Sequence, residues 1–392
     1  MAPGLVSEGS SWHLSRPMST NPTSRAWAEI DASALLGNAR TVRSSVGPDA
    51  RLLPMVKADA YGLGVAEAVR ALEPVDPWGF GVATVDEGVE LRSLGVERPV
   101  VVVSPVPEAS LGSAIASDLQ LGISSVDAFR MTEDAARDLE RPARVHLEID
   151  TGIGRSGFDW RAVDRWRSEI SHSASQRIEW VGCYTHLRSA DEGPESIHEQ
   201  WQRLRFALDR LDAPDGMLIH MLNSAGAMRL PAYAAALVRP GIFLFGGEAG
   251  KGLPAPEPVV ALRARVVHLR DAEQGDAVGY GATYRAEGPE RWATLSIGYG
   301  DGLPRSLGNR GHALLAGVRV PIVGRISMDV TVVDISAVPR VALADIATLI
   351  GRDGVGRITV DEVAELAGTI SYEVLTGLTR RIPRIWKGLD GS

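Results

Sequence analysis

The chain has 392 residues, 45% hydrophobic, 23% charged and 6% aromatic, with a formal charge of −8. That length exceeds what one hydrophobic core usually serves, so two domains are expected, and the acidic balance argues against nucleic acid as a partner. No apolar run approaches the ~20 residues of a membrane span, and one cysteine, Cys183, excludes an intrachain disulfide framework and a cysteine-based zinc cage, so a cytoplasmic protein without a metal is the expectation.

Residues 1–25 are rich in Ser, Pro and Thr, lack the apolar centre of a secretory signal, and read as a disordered tail in which Met18 is a second candidate start. A helix is expected over Ala32 to Val46. Short β-rich runs then recur at 52–56, 79–84, 100–104, 119–125, 145–149, 179–185, 217–222 and 236–238. Helical patterns separate them, among them Val65 to Leu72, Asp86 to Leu94, Val126 to Leu139, Ala162 to Ile170 and Glu192 to Leu211. Strand alternating with helix implies parallel pairing with right-handed crossovers, and eight units fit a closed (β/α)8 barrel over residues 26–256 better than an open sheet. From 257 to 392 the pattern changes to long alternating runs, VVALRARVVHL, WATLSIG, HALLAGVRVPIVG and MDVTVVDI, which read as a mainly antiparallel β domain. It closes with a helix opened by a Thr359-x-x-Glu362 capping box and another around Tyr372 to Arg380.

Gly152-Ile153-Gly154-Arg155-Ser156-Gly157 satisfies G-x-G-x-x-G after a strand, the pattern of a dinucleotide fingerprint. Its position at the fifth strand of a barrel pattern, followed by Thr185 and His186 instead of a ribose-binding acid, argues against that reading.

Catalytic groups of a barrel project from the carboxyl ends of its strands. The first strand ends in VKADAYGLG, which places Lys57 after an apolar run. A lysine so placed is partly desolvated, its pKa falls, and it becomes suited to Schiff-base chemistry, whereas an isolated strand-end lysine would simply snorkel to solvent. Asp150-Thr151-Gly152-Ile153-Gly154-Arg155 ends the fifth strand and Thr185-His186 the sixth. The loops after strands seven and eight carry Asn223-Ser224 and Arg239-Pro240-Gly241-Ile242, whose hydroxyl and amide donors suit a phosphate, although Asn223-Ser224 also suits a helix cap. The β domain adds Gly279-Tyr280-Gly281-Ala282-Thr283-Tyr284, Ile297 to Gly302, Gly324 to Asp329 and Tyr372-Glu373.

VKADAYGLG closely resembles the pyridoxal phosphate (PLP) lysine signature of alanine racemases, and the resemblance runs from about Arg25 to Trp386. It implies a TIM-type barrel followed by a β domain, a homodimer with shared active sites, and interconversion of L-alanine and D-alanine through a PLP external aldimine, supplying D-alanine for peptidoglycan. Lys57 would carry PLP and serve one face of the substrate, and Tyr280 of the partner subunit would serve the other. Arg155 would contact the cofactor's phenolic oxygen and the substrate carboxylate, with Met328 contributing its backbone. His186 would lie near the pyridine ring and support the catalytic tyrosine. Ser224, Gly241 and Ile242, with Asn223 beside them, would hold the phosphate, Tyr61 and Tyr372 would donate to it, and Arg239 would face the pyridine nitrogen. Asp191, His220, Tyr299, Arg305, Arg325, Asp329 and Tyr372 would line or support the access corridor.

One position departs from the pattern. Many members carry a carbamylated lysine two residues before the aspartate of the D-T-G-x-G-R motif, where this chain has Glu148, a permanent carboxylate suited to orienting Arg155. Alternatives are a racemase of this fold preferring another substrate such as serine, a non-catalytic PLP-binding protein, and a fold-related decarboxylase. The Tyr280 and Arg239 motifs favour racemisation.

Overall fold

The computed structural model describes residues 23–170 and 177–389, so the expected tail up to position 22 lies outside the described residues. Eight parallel strands form a ring in the order Arg51–Leu52, Leu237–Arg239, Leu218–Asn223, Ile178–Tyr184, Ala143–Asp150, Gln120–Ile123, Val100–Val102 and Phe80–Val82, and a short ninth, Phe158–Asp159, pairs with Ala143–Asp150 off the ring. The ring closes where Met55 bridges Gly81 and the Val56 amide donates to the Gly81 carbonyl at 2.9 Å. The first strand, expected over 52–56, keeps regular ladder pairing only at Arg51–Leu52, because Pro54 has no amide to donate. All five residues Val145, His146, Leu147, Glu148 and Ile149 of the fifth strand are buried, as a strand covered on both faces requires.

Helices Val65–Leu72, Val85–Ser93, Glu108–Ala116, Val126–Asp138, Glu195–Leu208 and Ser224–Arg229 make crossovers. Side chains of Thr84, Ser125 and Asn223 accept orphan amides at three of their N-termini. The helix expected over Ala162 to Ile170 is instead a string of single turns, Trp160–Ala162, Val163–Trp166 and Arg167–Glu169. Its aromatic anchors account for this: Trp166 packs on Phe158 with ring centres 4.5 Å apart and Trp160 meets Phe206 edge-on at 5.5 Å, so tertiary contacts override propensity.

The second sheet runs Val318–Pro321, His312–Leu315, Ile346–Asp353, Val260–Ala272, Ala26–Asp31 and Arg384–Lys387, with Glu290–Leu295 branching from Val260–Ala272 and Thr331–Asp334 pairing in turn with Glu290–Leu295. Val260, Leu262, Ala264 and Val266 alternate into its core. Ala26–Asp31 was expected with the barrel, yet it pairs antiparallel with Val260–Ala272 and parallel with Arg384–Lys387. Its Trp27 and Ile30 are buried there, which draws the strand into this sheet. Thr359 caps Val360–Ala367 by accepting the Glu362 amide at 3.0 Å. The final helix is Ser371–Thr376, shorter than expected because Gly377 follows it.

Candidate active site

The carboxyl ends of the barrel strands surround a cavity of about 320 Å³. Lys57 lines it, and among the described residues its Nζ bonds to no protein group. Burial pulls the ammonium pKa down, Arg155 and Arg239 lower it further, and Glu87 opposes them. The next four residues, Ala58 to Tyr61, all have φ between 52 and 58°, a left-handed turn of L-residues that costs roughly 1–2 kcal/mol each. Contacts from elsewhere hold it. Glu87 accepts the Ala58 amide at 2.6 Å, Asp59 accepts the Val65 amide at 2.7 Å, Arg384 donates to the Gly62 carbonyl, and Trp386 donates to that of Leu63. The turn sends both Lys57 and Tyr61 into the same cavity.

At one side, Asn223 caps its helix by accepting the Gly226 amide, and Ser224 Oγ accepts the Gly241 amide at 2.9 Å. Gly241 admits the Tyr61 hydroxyl so closely that a Cβ there would lie 2.1 Å from it. Ile242 and Tyr372 complete this wall, and Tyr61 stacks on Phe245 with centroids 4.6 Å apart. Hydroxyls and amides therefore converge here with little competing negative charge, a donor set for a phosphate.

Asp150 accepts the amides of Gly152, Ile153 and Gly154, folding the loop that presents Arg155 to the cavity. Glu148 is buried and accepts from Ser156 Oγ at 2.8 Å; burial raises its pKa, against the pull of Ser156 and Arg155. The expected direct pairing of Glu148 with Arg155 is not made, since Arg155 has no ion pair among the described residues; the buried carboxylate is satisfied by the nearer hydroxyl. At the sixth strand end, buried Gln200 donates to Thr151 Oγ1 and the His186 carbonyl, both at 2.9 Å. The His186 imidazole is pushed down to about 3 by burial, then by Arg239, Arg155 and Lys57, and is neutral at pH 7.

Arg239 forms the floor, fully buried, its pKa lowered to about 10 by burial yet still cationic at neutral pH. Nη1 donates to His220 Nδ1 at 2.8 Å, Nη2 donates to the Thr185 carbonyl at 2.8 Å, and Nε has no partner among the described residues. His220 was expected at the access corridor. It lies buried beneath Arg239, because its strand turns that side chain into the barrel interior. Its Nε2 meets His146 Nδ1 at 2.9 Å, and His146 Nε2 meets Gln120 Oε1 at 2.7 Å.

Tyr184, Ser156, His146, Gln120 and Gln200 escaped the sequence reading. Tyr184, His146, Gln120 and Gln200 carried only polarity within apolar strands or on a helix face, which also suits ordinary core residues, and Ser156 only a hydroxyl in a glycine-rich loop. Tyr184 stacks on His220 at 5.0 Å, with the Arg239 guanidinium 5.2 Å from its ring centre.

Asp191 lies on a wider opening of about 780 Å³ that shares Lys57, Arg155, His186 and Tyr372 with the inner cavity. The remaining β-domain candidates stay apart. Tyr280 is 71% exposed and Met328 51% exposed, and neither lines the cavity of its own chain. Tyr299, Arg305 and Arg325 are exposed as well, and Asp329 pairs with Arg381 at 2.5 Å. Arg325 packs under the Tyr280 turn, where a Cβ on Gly281 would meet its guanidinium at 2.9 Å.

Residues 30–249 match the family model of the alanine racemase N-terminal domain and residues 259–386 that of the C-terminal domain. An alanine racemase of Syntrophobacter fumaroxidans is 35% identical over 373 residues, covering 94% of this chain and 99% of the relative. The crystal structure of alanine racemase from a D-cycloserine-producing Streptomyces lavendulae superposes with a TM-score of 0.88 at 31% identity, over 94% of this chain and 98% of that one. Alanine racemase from Bartonella henselae, described with covalently bound pyridoxal phosphate, superposes with a TM-score of 0.85 at 28% identity, over 93% of this chain and all of that one.

Proposed function

The chain belongs to the alanine racemase family and is an amino-acid racemase acting on alanine; on that premise we propose that PLP is carried on Lys57 and that Tyr280 of the partner subunit is the second base. The observation that carries this reading is a Lys57 amine without a protein partner, depressed in pKa, in one cavity with the Tyr61 and Ser224 hydroxyls beside Gly241. The residues fit the cofactor. The donor wall suits its phosphate, and the free Nε of Arg239 suits a neutral pyridine nitrogen. When bound, PLP supplies an electron sink for the charge left as the substrate's α-proton departs.

The chain's own groups do the rest. Lys57, unprotonated more readily than a solvated lysine, takes or returns a proton on one face of the α-carbon. Arg155 binds the substrate carboxylate and fixes which face is presented. Inversion needs a second group opposite Lys57, and exposed Tyr280 does not line the Lys57 cavity of its own chain, which supports a homodimer whose subunits exchange this residue. We assign PLP binding to a barrel ending near residue 256 and delivery of Tyr280 to the β domain from 257. D-alanine for peptidoglycan and residence in the cytoplasm complete the reading; among the described residues no helix is long and apolar enough to cross a membrane.

Incubation with PLP and individual L-amino acids in D2O tests it. Alanine is expected to gain α-deuterium and approach equal enantiomers only with Lys57 intact. Equal exchange by Lys57→Ala protein would overturn the assignment.

A further inference from the structure

We propose that Glu87 is a positioning residue for Lys57, its carboxylate fastening the left-handed turn that aims the amine into the cavity; this rests on the assignment of Lys57 above. Glu87 sits at the third position of the helix Val85–Ser93, where a glutamate ordinarily serves a capping box by reaching back to the N-cap amide. It does that here, since Oε2 accepts the Thr84 amide at 3.1 Å and the Ala83 amide at 2.7 Å. Its other oxygen leaves the helix altogether and accepts the Ala58 amide at 2.6 Å. One carboxylate thus ties the end of the first barrel strand to the end of the second.

Capping has no use for the Ala58 bond. That amide opens the four-residue left-handed stretch, whose conformation is unfavourable for Ala, Asp and Tyr and persists only where surrounding contacts over-determine it. The far end of the turn is fastened by Arg384 and Trp386 from the second sheet, and its middle by Asp59. Glu87 is the fastening nearest Lys57. It is also an anion acting on the amine, and it opposes the combined influence of Arg155 and Arg239. Burial, Arg155 and Arg239 all push the amine toward its neutral form, so removing the anion that opposes them alters both its orientation and its charge balance.

Glu87→Gln is nearly isosteric, yet its NH2 cannot accept an amide hydrogen. Thr84→Ala removes the hydroxyl half of the same capping box and leaves Glu87 in place. In apo-protein, Glu87→Gln is expected to accelerate amide hydrogen exchange at least tenfold in the peptide spanning residues 57–64, with the thermal midpoint within a few degrees of wild type. In holoenzyme, kcat is expected to fall at least tenfold with KM changed less than threefold, and the pH midpoint of the visible cofactor absorbance to move by half a unit or more. Thr84→Ala is expected to do neither. Wild-type exchange and spectra in Glu87→Gln, or the same effects in Thr84→Ala, overturn the proposal. Borohydride reduction and peptide mapping of the wild type separate the two levels: a label on another lysine overturns the Lys57 assignment and this inference with it, whereas a label on Lys57 leaves the outcome to the exchange and spectral data.

Discussion

Arg239 donates from Nη1 to Nδ1 of His220 at 2.8 Å, and because a guanidinium has no acceptor, this bond fixes the protons of everything behind it. His220 must carry its hydrogen on Nε2 and donate to His146 Nδ1, and His146 must carry its own on Nε2 and donate to Gln120. Both rings are neutral, in keeping with burial driving the His146 pKa to about 3 and that of His220 well below its usual value. His220→Phe removes the ring acceptor of Nη1, which keeps only the His220 carbonyl at 3.0 Å, and leaves buried His146 Nδ1 unpaired, at about 1–3 kcal/mol. The variant is expected to lose stability by that order in urea denaturation and to lower kcat/KM at least tenfold as Arg239 loosens. Wild-type values for both would show that the chain does not hold Arg239.

The same two histidines give an acid limb to stability. In the unfolded chain each titrates near 6.5; in the folded protein each stays neutral far below that, so the unfolded state binds more protons and stability falls as pH drops from about 6.5 toward about 3. His186, likewise held down to about 3 by burial, adds to them, and three such groups contribute a slope of at most about 4 kcal/mol per pH unit. Glu148 opposes them, since its folded pKa is raised and its destabilising charge is relieved on acidification. Urea midpoints measured between pH 7.5 and 5 are expected to decline, and His220→Phe is expected to flatten the decline. A flat wild-type profile would sink this account.

Much of this site was legible because barrel strand ends announce themselves: an apolar run stops and a chemically distinctive residue follows, as at Lys57, Asp150 and His186. What stayed hidden depends on contacts between distant positions. Nothing in Ala58-Asp59-Ala60-Tyr61 signals a left-handed turn, which is imposed in part by Arg384 holding the following Gly62 carbonyl from 322 positions away. His220 was misread because strand alternation cannot tell the interior of a closed barrel from a corridor at its mouth. Ala26–Asp31 was overlooked as a strand because its partners, Val260–Ala272 and Arg384–Lys387, lie at the far end of the chain.

Tyr280 on the outside of its own chain leads to a complementation experiment. Lys57→Ala and Tyr280→Phe homodimers are each expected to be inactive. Mixing them under conditions of subunit exchange rebuilds one site with both wild-type bases and one with neither, so recovery should approach a quarter of wild-type activity when exchange is statistical, with half the dimers mixed and one of two sites active in each. Verified mixed dimers without recovered activity would place Tyr280 and Lys57 of the same chain in one site.

Glu148 tests whether a permanent carboxylate acts on Arg155 at one remove. The carboxylate bonds Ser156 Oγ, the side chain directly after Arg155, so its influence runs through the loop backbone and through space without an ion pair. A hydrogen bond to a charged group is worth roughly 1.5–3 kcal/mol when shielded, which corresponds to about a tenfold or greater effect on rate or binding. Glu148→Gln is expected to raise KM for alanine or lower kcat by that factor while PLP remains bound. Ser156→Ala is expected to reproduce part of the loss, because it cuts the same bond from the other side. A carboxylate supplied by the chain also needs no dissolved carbon dioxide, so wild-type activity is expected to be insensitive to bicarbonate. Wild-type kinetics in both variants, or bicarbonate-dependent activity in the parent, would remove Glu148 from the site.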